Sequence, residues 1–372
     1  MEQPQAESPT TRAGATGADA TGAERAAMRR ALELAARIPP RGPNPRVGCV
    51  LLDADGATLA EGFHHGAGTP HAEVEALRAA VGRLGPAAAR GATAVVTLEP
   101  CNHHGRTGPC VDALLDAGVR RVVHAQHDPN PAASGGAARL RAAGVDVVGG
   151  VLTDEARALN DSWTRALELG RPLVTWKVAS TLDGRAAAAD GTSRWITGRA
   201  ARHDVHRLRA ASDAVMVGTG TALVDDPDLG VRHAPLTGPQ PARVVVGLRE
   251  LPASSRLARA AAAGETVAQL RTHDPHEVLE QLWYQEHRRV LLEGGPALAA
   301  AFWRAGLVDE VVAYVAPALL GVGASAVADL GIGTIADAAR LDLIDVTVLP
   351  QDPADPTDTP TVRLTLRPRK ER

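Results

Sequence analysis

Two stretches decide the reading of this chain: Gly66-Ala67-Gly68-Thr69-Pro70-His71-Ala72-Glu73, and Thr97-Leu98-Glu99-Pro100-Cys101, followed after eight residues by Cys110. Pro70 suits the start of a helix, where its fixed φ is already right and its missing N–H is not needed. His71 to Leu84 therefore reads as a helix, and Ala94 to Leu98 as a short apolar strand running into Glu99-Pro100-Cys101. One imidazole and two thiols form a zinc donor set, tetrahedral with a fourth place left for water. Zinc lowers the pKa of such a water to about 7. Glu73 stands two residues from His71, close to the metal and free to carry a proton from the water to a departing amine. Helix starts at His71 and Cys101 are expected to favour the thiolates. Cys49, in Val47-Gly48-Cys49-Val50, reads as a small buried hydrophobe.

Around this pair the chain alternates. An amphipathic helix is expected over Arg25 to Arg37, ended by Pro39-Pro40. Strands follow at Val47 to Leu52 and Leu59 to Phe63, with a turn at Asp55-Gly56. After Cys110, a helix over Val111 to Ala117, a strand over Arg121 to His127, a helix over Ala137 to Ala143 and a strand over Val145 to Val148 complete an α/β layered domain. Ala156 to Leu169 reads as one linking helix. The pattern restarts with a strand at Leu173 to Ser180, then strands at Ala214 to Val217, Arg243 to Gly247, Arg289 to Leu292 and Val311 to Val315, and a helix at Ala297 to Arg304. No internal repeat relates the halves. The expected division is a disordered tail over 1–23, a first domain over 24–169 and a second over 170–372.

Composition narrows the function class. The formal net charge is −3 and no long basic run occurs, so a nucleic-acid partner is not expected. No apolar run reaches the length of a membrane span, and no membrane partner is expected. Residues 1–23 lack the basic start and apolar core of a secretory signal. Three cysteines do not make a disulfide framework, so a cytoplasmic enzyme is expected. Aromatics are only 2% of the chain, which leaves the packing to Val, Leu, Ile and Ala.

The general zinc deaminase signature is H-x-E followed by P-C-x-x-C. This chain keeps the first part but places Asn102-His103-His104-Gly105-Arg106-Thr107-Gly108-Pro109 between its cysteines. With Pro43-Asn44-Pro45-Arg46-Val47-Gly48-Cys49-Val50 and the two stretches above, it resembles the bifunctional deaminase/reductase family of riboflavin biosynthesis. The resemblance implies a cytidine-deaminase-like α/β/α domain with His71, Cys101 and Cys110 on zinc and Glu73 as the catalytic acid and base. It also implies that Asn44, His103 and Arg106 contact a phosphoribosylaminopyrimidine substrate. Imidazole, guanidinium and hydroxyl donors in the His103-to-Thr107 loop suit an anionic phosphate. Three positions depart from the family pattern: Pro39-Pro40-Arg41-Gly42, Asn102 and Gly108. None is a proposed ligand.

The second half carries Trp176-Lys177-Val178-Ala179-Ser180-Thr181-Leu182-Asp183-Gly184-Arg185, then Ser193-Arg194-Trp195-Ile196-Thr197, Val217-Gly218-Thr219-Gly220-Thr221, Asp225-Asp226-Pro227 and Leu291-Leu292-Glu293-Gly294-Gly295. A strand, two glycines and a helix start form an anion site from free backbone N–H groups. In this order the motifs resemble the reductase half of the same family, a dihydrofolate-reductase-like α/β domain that uses NADPH. The resemblance implies NADPH contacts at Ala179, Trp195, Thr221, Asp225 and the helix start Gly295, Pro296, Ala297, Leu298, Ala299, Ala300, Ala301. It implies substrate contacts at Ser193, Arg209, Leu229, Arg232 and Glu293. Gly230, Leu248 and Val322 depart from the pattern. Two rivals stay on the table: a nucleic-acid deaminase, disfavoured by charge and by the second half, and a second half that only binds ligand or mediates dimerisation. Oligomeric state is left open, a homo-oligomer included.

Overall fold

The computed structural model describes residues 17–105 and 108–369. They divide into two compact units, one ending at Glu168 and the other beginning at Leu169, with Arg41–Pro43 grouped with the second.

The first unit runs α1 (Gly22–Ala35), β1 (Gly48–Leu52), β2 (Thr58–Phe63), α2 (Ala72–Leu84), β3 (Thr93–Leu98), α3 (Cys110–Asp116), β4 (Arg121–Gln126), α4 (Gly136–Ala142), β5 (Asp146–Gly149), α5 (Thr153–Leu159) and α6 (Asp161–Leu169). Its sheet has the order β2-β1-β3-β4-β5, with β1 antiparallel to both neighbours and β3, β4 and β5 parallel. Successive strand residues point to opposite faces. Cys49, Leu51, Val96 and Leu98 accordingly pack under α2, α3 and α4, while Val50, Leu52 and Val95 pack under α1 and α5. The result is the expected three-layer domain.

Two details correct the sequence reading. The tail was expected to reach residue 23, yet Gly17–Asp19 forms a turn of 3-10 helix and α1 starts at Gly22. Thr21 caps α1 through a capping box with Glu24, and Arg121 ties Glu24 to β4. Residues 1–16 of that expected tail lie outside the described residues. The linking helix is also two helices. Asn160 leaves helical geometry between α5 and α6, and its amide pairs with both the N–H and the C=O of Arg46, at 2.9 Å each. A side chain that completes the backbone bonding ahead of β1 interrupts the helix.

The second unit runs β6 (Leu173–Thr181), α7 (Arg199–Ala210), β7 (Ala214–Gly218), α8 (Thr219–Asp225), β8 (Ala242–Val246), α9 (Arg256–Ala262), β9 (Val267–Leu270), α10 (Pro275–Tyr284), β10 (Arg289–Leu292), α11 (Pro296–Arg304), β11 (Glu310–Ala316), β12 (Leu341–Leu349) and β13 (Thr361–Pro368). The strand order is β12-β13-β11-β6-β10-β7-β8-β9. From β11 to β9 the strands are parallel, and β13 and β12 add an antiparallel edge. Ala214 and Met216 face α10 and α11, while Val215 and Val217 face α8 and α9. Helices thus cover both faces of the parallel part.

One buried group makes acid stability measurable. His124 on β4 is fully buried, with its ring 4.9 Å from that of His127. Burial, and then the His127 charge, hold it down to about 4. On unfolding it regains an ordinary value of about 6.5 and takes up a proton. Its contribution is therefore complete above about pH 6.5 and is lost as pH falls toward 4. The urea midpoint should drop from pH 7 to pH 5, and His124→Leu should shrink that drop. An unchanged drop would assign the acid sensitivity to other groups.

Candidate active sites

In the first unit the zinc donors come from three elements. His71 is the N-cap of α2, Cys101 follows β3, and Cys110 is the first residue of α3. Gly62 on β2 lets α2 start this close, since a Cβ there would lie 2.4 Å from Ala72 O. The three ligand atoms lie within 4.8 Å of one another. His71 Nδ1 stands 3.2 Å from Cys110 Sγ and 3.5 Å from Cys101 Sγ. Two ligands on one tetrahedral zinc would sit about 3.6 Å apart, so the cage fits that ion.

The expected helix start at Cys101 is corrected. The helix begins at Cys110, whose N–H donates to Cys101 Sγ at 3.3 Å. The anion-favouring amide therefore still reaches Cys101, from the neighbouring ligand. The Cys110 thiol and the His71 ring draw the Cys101 thiol down to about 4, and that charge holds the proton on Cys110. Glu73 is 3% exposed. Burial, then the Cys101 charge, raise its carboxyl to about 7. A group poised there can both accept and return a proton near neutral pH.

Two supporting residues escaped the sequence reading. Glu99 accepts from Ala137 N at 2.9 Å and from His127 Nδ1 at 3.2 Å, which fixes the corner leading to Cys101. His64 donates from Nδ1 to Pro70 O at 3.0 Å and accepts on Nε2 from Asn44 Nδ2 at 2.8 Å. An acid at the end of an apolar strand was the available signal for Glu99. His64 gave none beyond its place before Pro70. His103 is half-buried on the segment between Cys101 and Cys110, and Arg106 lies outside the described residues.

In the second unit several of the candidate residues lie where parallel strands end, as ligand sites in such sheets do. Ala179 lies near the end of β6, Thr221 just beyond β7, and Glu293 and Gly295 just beyond β10. These three strands are adjacent. Thr221 Oγ1 accepts from Gly295 N at 3.0 Å, joining two of the expected cofactor positions. Pro296, Ala297, Leu298, Ala299, Ala300 and Ala301 form the first turns of α11. A Cβ on Gly295 would meet Thr221 Oγ1 at 2.9 Å, so glycine keeps this cradle open. Trp195 is 70% exposed with Arg202 4.5 Å over its ring, and Arg194 donates to Asp225 O at 3.2 Å. Ser193 is exposed on the same loop.

Arg209 and Glu293, separate in the sequence reading, meet. Arg209 Nε and Nη2 hold the two Glu293 oxygens at 2.6 and 2.9 Å, and the two side chains are only 12% and 9% exposed. Lys177 on β6 faces the same pair, and burial lowers its pKa while Glu293 opposes the shift. A lysine inside the apolar run Val174-Thr175-Trp176-Lys177-Val178 was the overlooked signal. Leu229 and Arg232 lie on the loop after α8.

Comparison with known proteins matches both units. Residues 22–126 match the cytidine and deoxycytidylate deaminase zinc-binding region, and residues 172–353 match the RibD C-terminal domain. The riboflavin biosynthesis protein RibD of Mycobacterium tuberculosis is 50% identical over 302 residues, 80% of this chain and 86% of that protein. The chain belongs to the RibD family. RibD of Escherichia coli is 41% identical over 353 residues, 86% of this chain and 95% of its own. The Acinetobacter baumannii RibD structure aligns with a TM-score of 0.79 at 40% identity, covering 94% of this chain and 99% of that one. A Thermotoga maritima deaminase/reductase structure aligns at 0.76 with 32% identity, covering 93% and 99%. As a member of that family, the chain is a bifunctional enzyme of riboflavin biosynthesis, a zinc deaminase joined to an NADPH-dependent reductase. The nucleic-acid deaminase and the inert second half are thereby set aside. Among the described residues, no helix is long and apolar enough to cross a membrane.

Proposed function

We propose that the first unit removes the exocyclic 2-amino group of a diaminohydroxyphosphoribosylaminopyrimidine, and that the second reduces the ribosyl group of the resulting aminouracil to ribityl with NADPH. The Thermotoga maritima relative is a diaminohydroxyphosphoribosylaminopyrimidine deaminase and 5-amino-6-(5-phosphoribosylamino)uracil reductase. The observation that carries the reading is the convergence of His71, Cys101 and Cys110 with the buried Glu73 behind them. Bound zinc supplies a water of lowered pKa. Glu73 takes a proton from the attacking water and returns it to the departing amine. Asn44 offers its carbonyl oxygen to a ring or amino N–H, with His64 fixing the amide. In the second unit the ends of β6, β7 and β10 hold the cofactor and substrate side by side, which hydride transfer needs more than it needs a strong acid. The domain division belongs to this proposal, with every deaminase residue before Gly170 and every reductase residue after it. So does residence in the cytoplasm, which the three free, buried cysteines suit.

The test is turnover of the diaminopyrimidine with and without NADPH. Ammonia should appear in both, and the ribityl product only with NADPH. Ribityl product without ammonia would reverse the order of steps. The metal is checked separately: the protein should carry about one zinc per chain, and His71→Ala or Cys101→Ser should remove it. Full zinc content in both variants would move the metal site elsewhere.

A further inference from the structure

In the loop Asp228–Arg232, side chains hold the N–H and C=O of Gly230, the N–H and C=O of Val231, and the N–H of Arg232. Asp228 Oδ1 accepts from Gly230 N at 2.8 Å, and Arg209 Nη1 donates to Gly230 O at 3.0 Å. Gln240 takes both groups of Val231: its Oε1 accepts from the N–H at 2.7 Å and its Nε2 donates to the C=O at 3.1 Å. His206 Nδ1 accepts from Arg232 N at 3.2 Å. Leu229, inside this frame, is buried at φ +62, a left-handed conformation that a leucine keeps only where its surroundings over-determine it. Gly230 fits the same frame, because a Cβ would lie 2.6 Å from both Asp228 Oδ1 and Arg243 Nη2.

The Arg232 side chain contrasts with its backbone. Its Nη1 pairs with Asp228 Oδ1 at 3.1 Å, with 49% and 36% of the two side chains exposed. Such a pair is weak and easily exchanged for a phosphate, which offers charge-assisted bonds. The backbone is thus fixed in advance while the guanidinium stays available, and ordering is not left to the moment of binding. We infer that His206 and Gln240 are positioning residues that aim Arg232 at the substrate phosphate. This rests on the reading of Arg232 as a substrate contact. His206 suits the task because it is buried, and its ring meets that of His233 edge-on at 4.9 Å. Burial, then Arg209 and Arg232, with His233 adding and Glu293 opposing, hold its pKa down to about 4. Its Nδ1 therefore stays an acceptor at neutral pH.

The experiment uses the full-length zinc-loaded enzyme and follows NADPH oxidation with the deaminated substrate, with and without its phosphate. His206→Ala and Gln240→Ala should each raise KM for the phosphorylated substrate about two- to tenfold, the worth of one neutral hydrogen bond. KM for NADPH should hold. His206→Asn, whose Oδ1 stands near the lost Nδ1, should restore KM. Neither alanine variant should change KM for the dephosphorylated riboside, which gives Arg232 nothing to grip. An equal rise for both substrates would show that the loop contacts are structural only and overturn the inference. Arg232→Ala separates the two levels. If it leaves KM for the phosphorylated substrate unchanged, the reading of Arg232 fails. If it raises KM while His206→Ala and Gln240→Ala do not, the positioning fails.

Discussion

Glu73→Gln should keep about one zinc per chain and release ammonia on the order of 10² to 10⁴ times more slowly, the usual worth of general acid–base catalysis. The substitution preserves shape on α2, two residues from the ligand His71, and alters no thiol or imidazole. A carboxamide neither accepts the water's proton nor returns one to the amine. The buried site also makes rescue by bulk solvent difficult, since Glu73 is 3% exposed. Elemental analysis and an ammonia assay on one sample decide the matter. Near-normal ammonia release with zinc in place would assign the proton transfer to another group. Joint loss of zinc and activity would mean that Glu73 helps to hold the metal.

How much of this was legible in the sequence follows from how local each signal is. The zinc cage was readable because each ligand lies at the end of one strand or helix, and those ends carry proline punctuation. Five of the six parallel strands of the second unit were readable as short apolar runs, such as Val174 and Leu291 with their neighbours, because they are buried on both faces, whereas β9, with only Leu270 buried, was missed. β12 was missed. Its Leu343, Ile344, Val346 and Val348 are all exposed and only its last residue, Leu349, is buried, so the strand adds almost nothing to a core. α7 was missed because Arg199 to Ala210 is mostly charged residues and histidines, with only a thin apolar stripe. The split at Asn160 was unreadable because its partner, Arg46, lies 114 residues away. The Arg209–Glu293 pair spans 84 residues, and no local pattern carries such a contact.

That pair changes what Arg209 should do. The sequence reading makes Arg209 a substrate contact, and one charge-assisted bond to the substrate phosphate would be worth about ten- to hundredfold in kcat/KM. In the structure its fork is committed to Glu293 and its remaining nitrogen to Gly230 O. Removing it leaves a buried carboxylate whose main remaining cationic support is Lys177. Breaking one side of a buried pair costs about 3 to 5 kcal/mol, which equals about 10² to 5 × 10³ in rate where the strain falls on the reacting complex. Arg209→Ala should therefore cut reductase kcat/KM by about that factor and leave ammonia release at the wild-type level. Circular dichroism must first show that the variant is folded. Arg209→Lys keeps the charge without the fork and should recover only part of the loss. Glu293→Gln should fall about as far as Arg209→Ala. The double variant decides between the two roles. If Arg209 acts by holding Glu293, the pair of substitutions is no worse than the more damaging single one. If the losses multiply, each residue meets the substrate independently, and Arg209 returns to the phosphate.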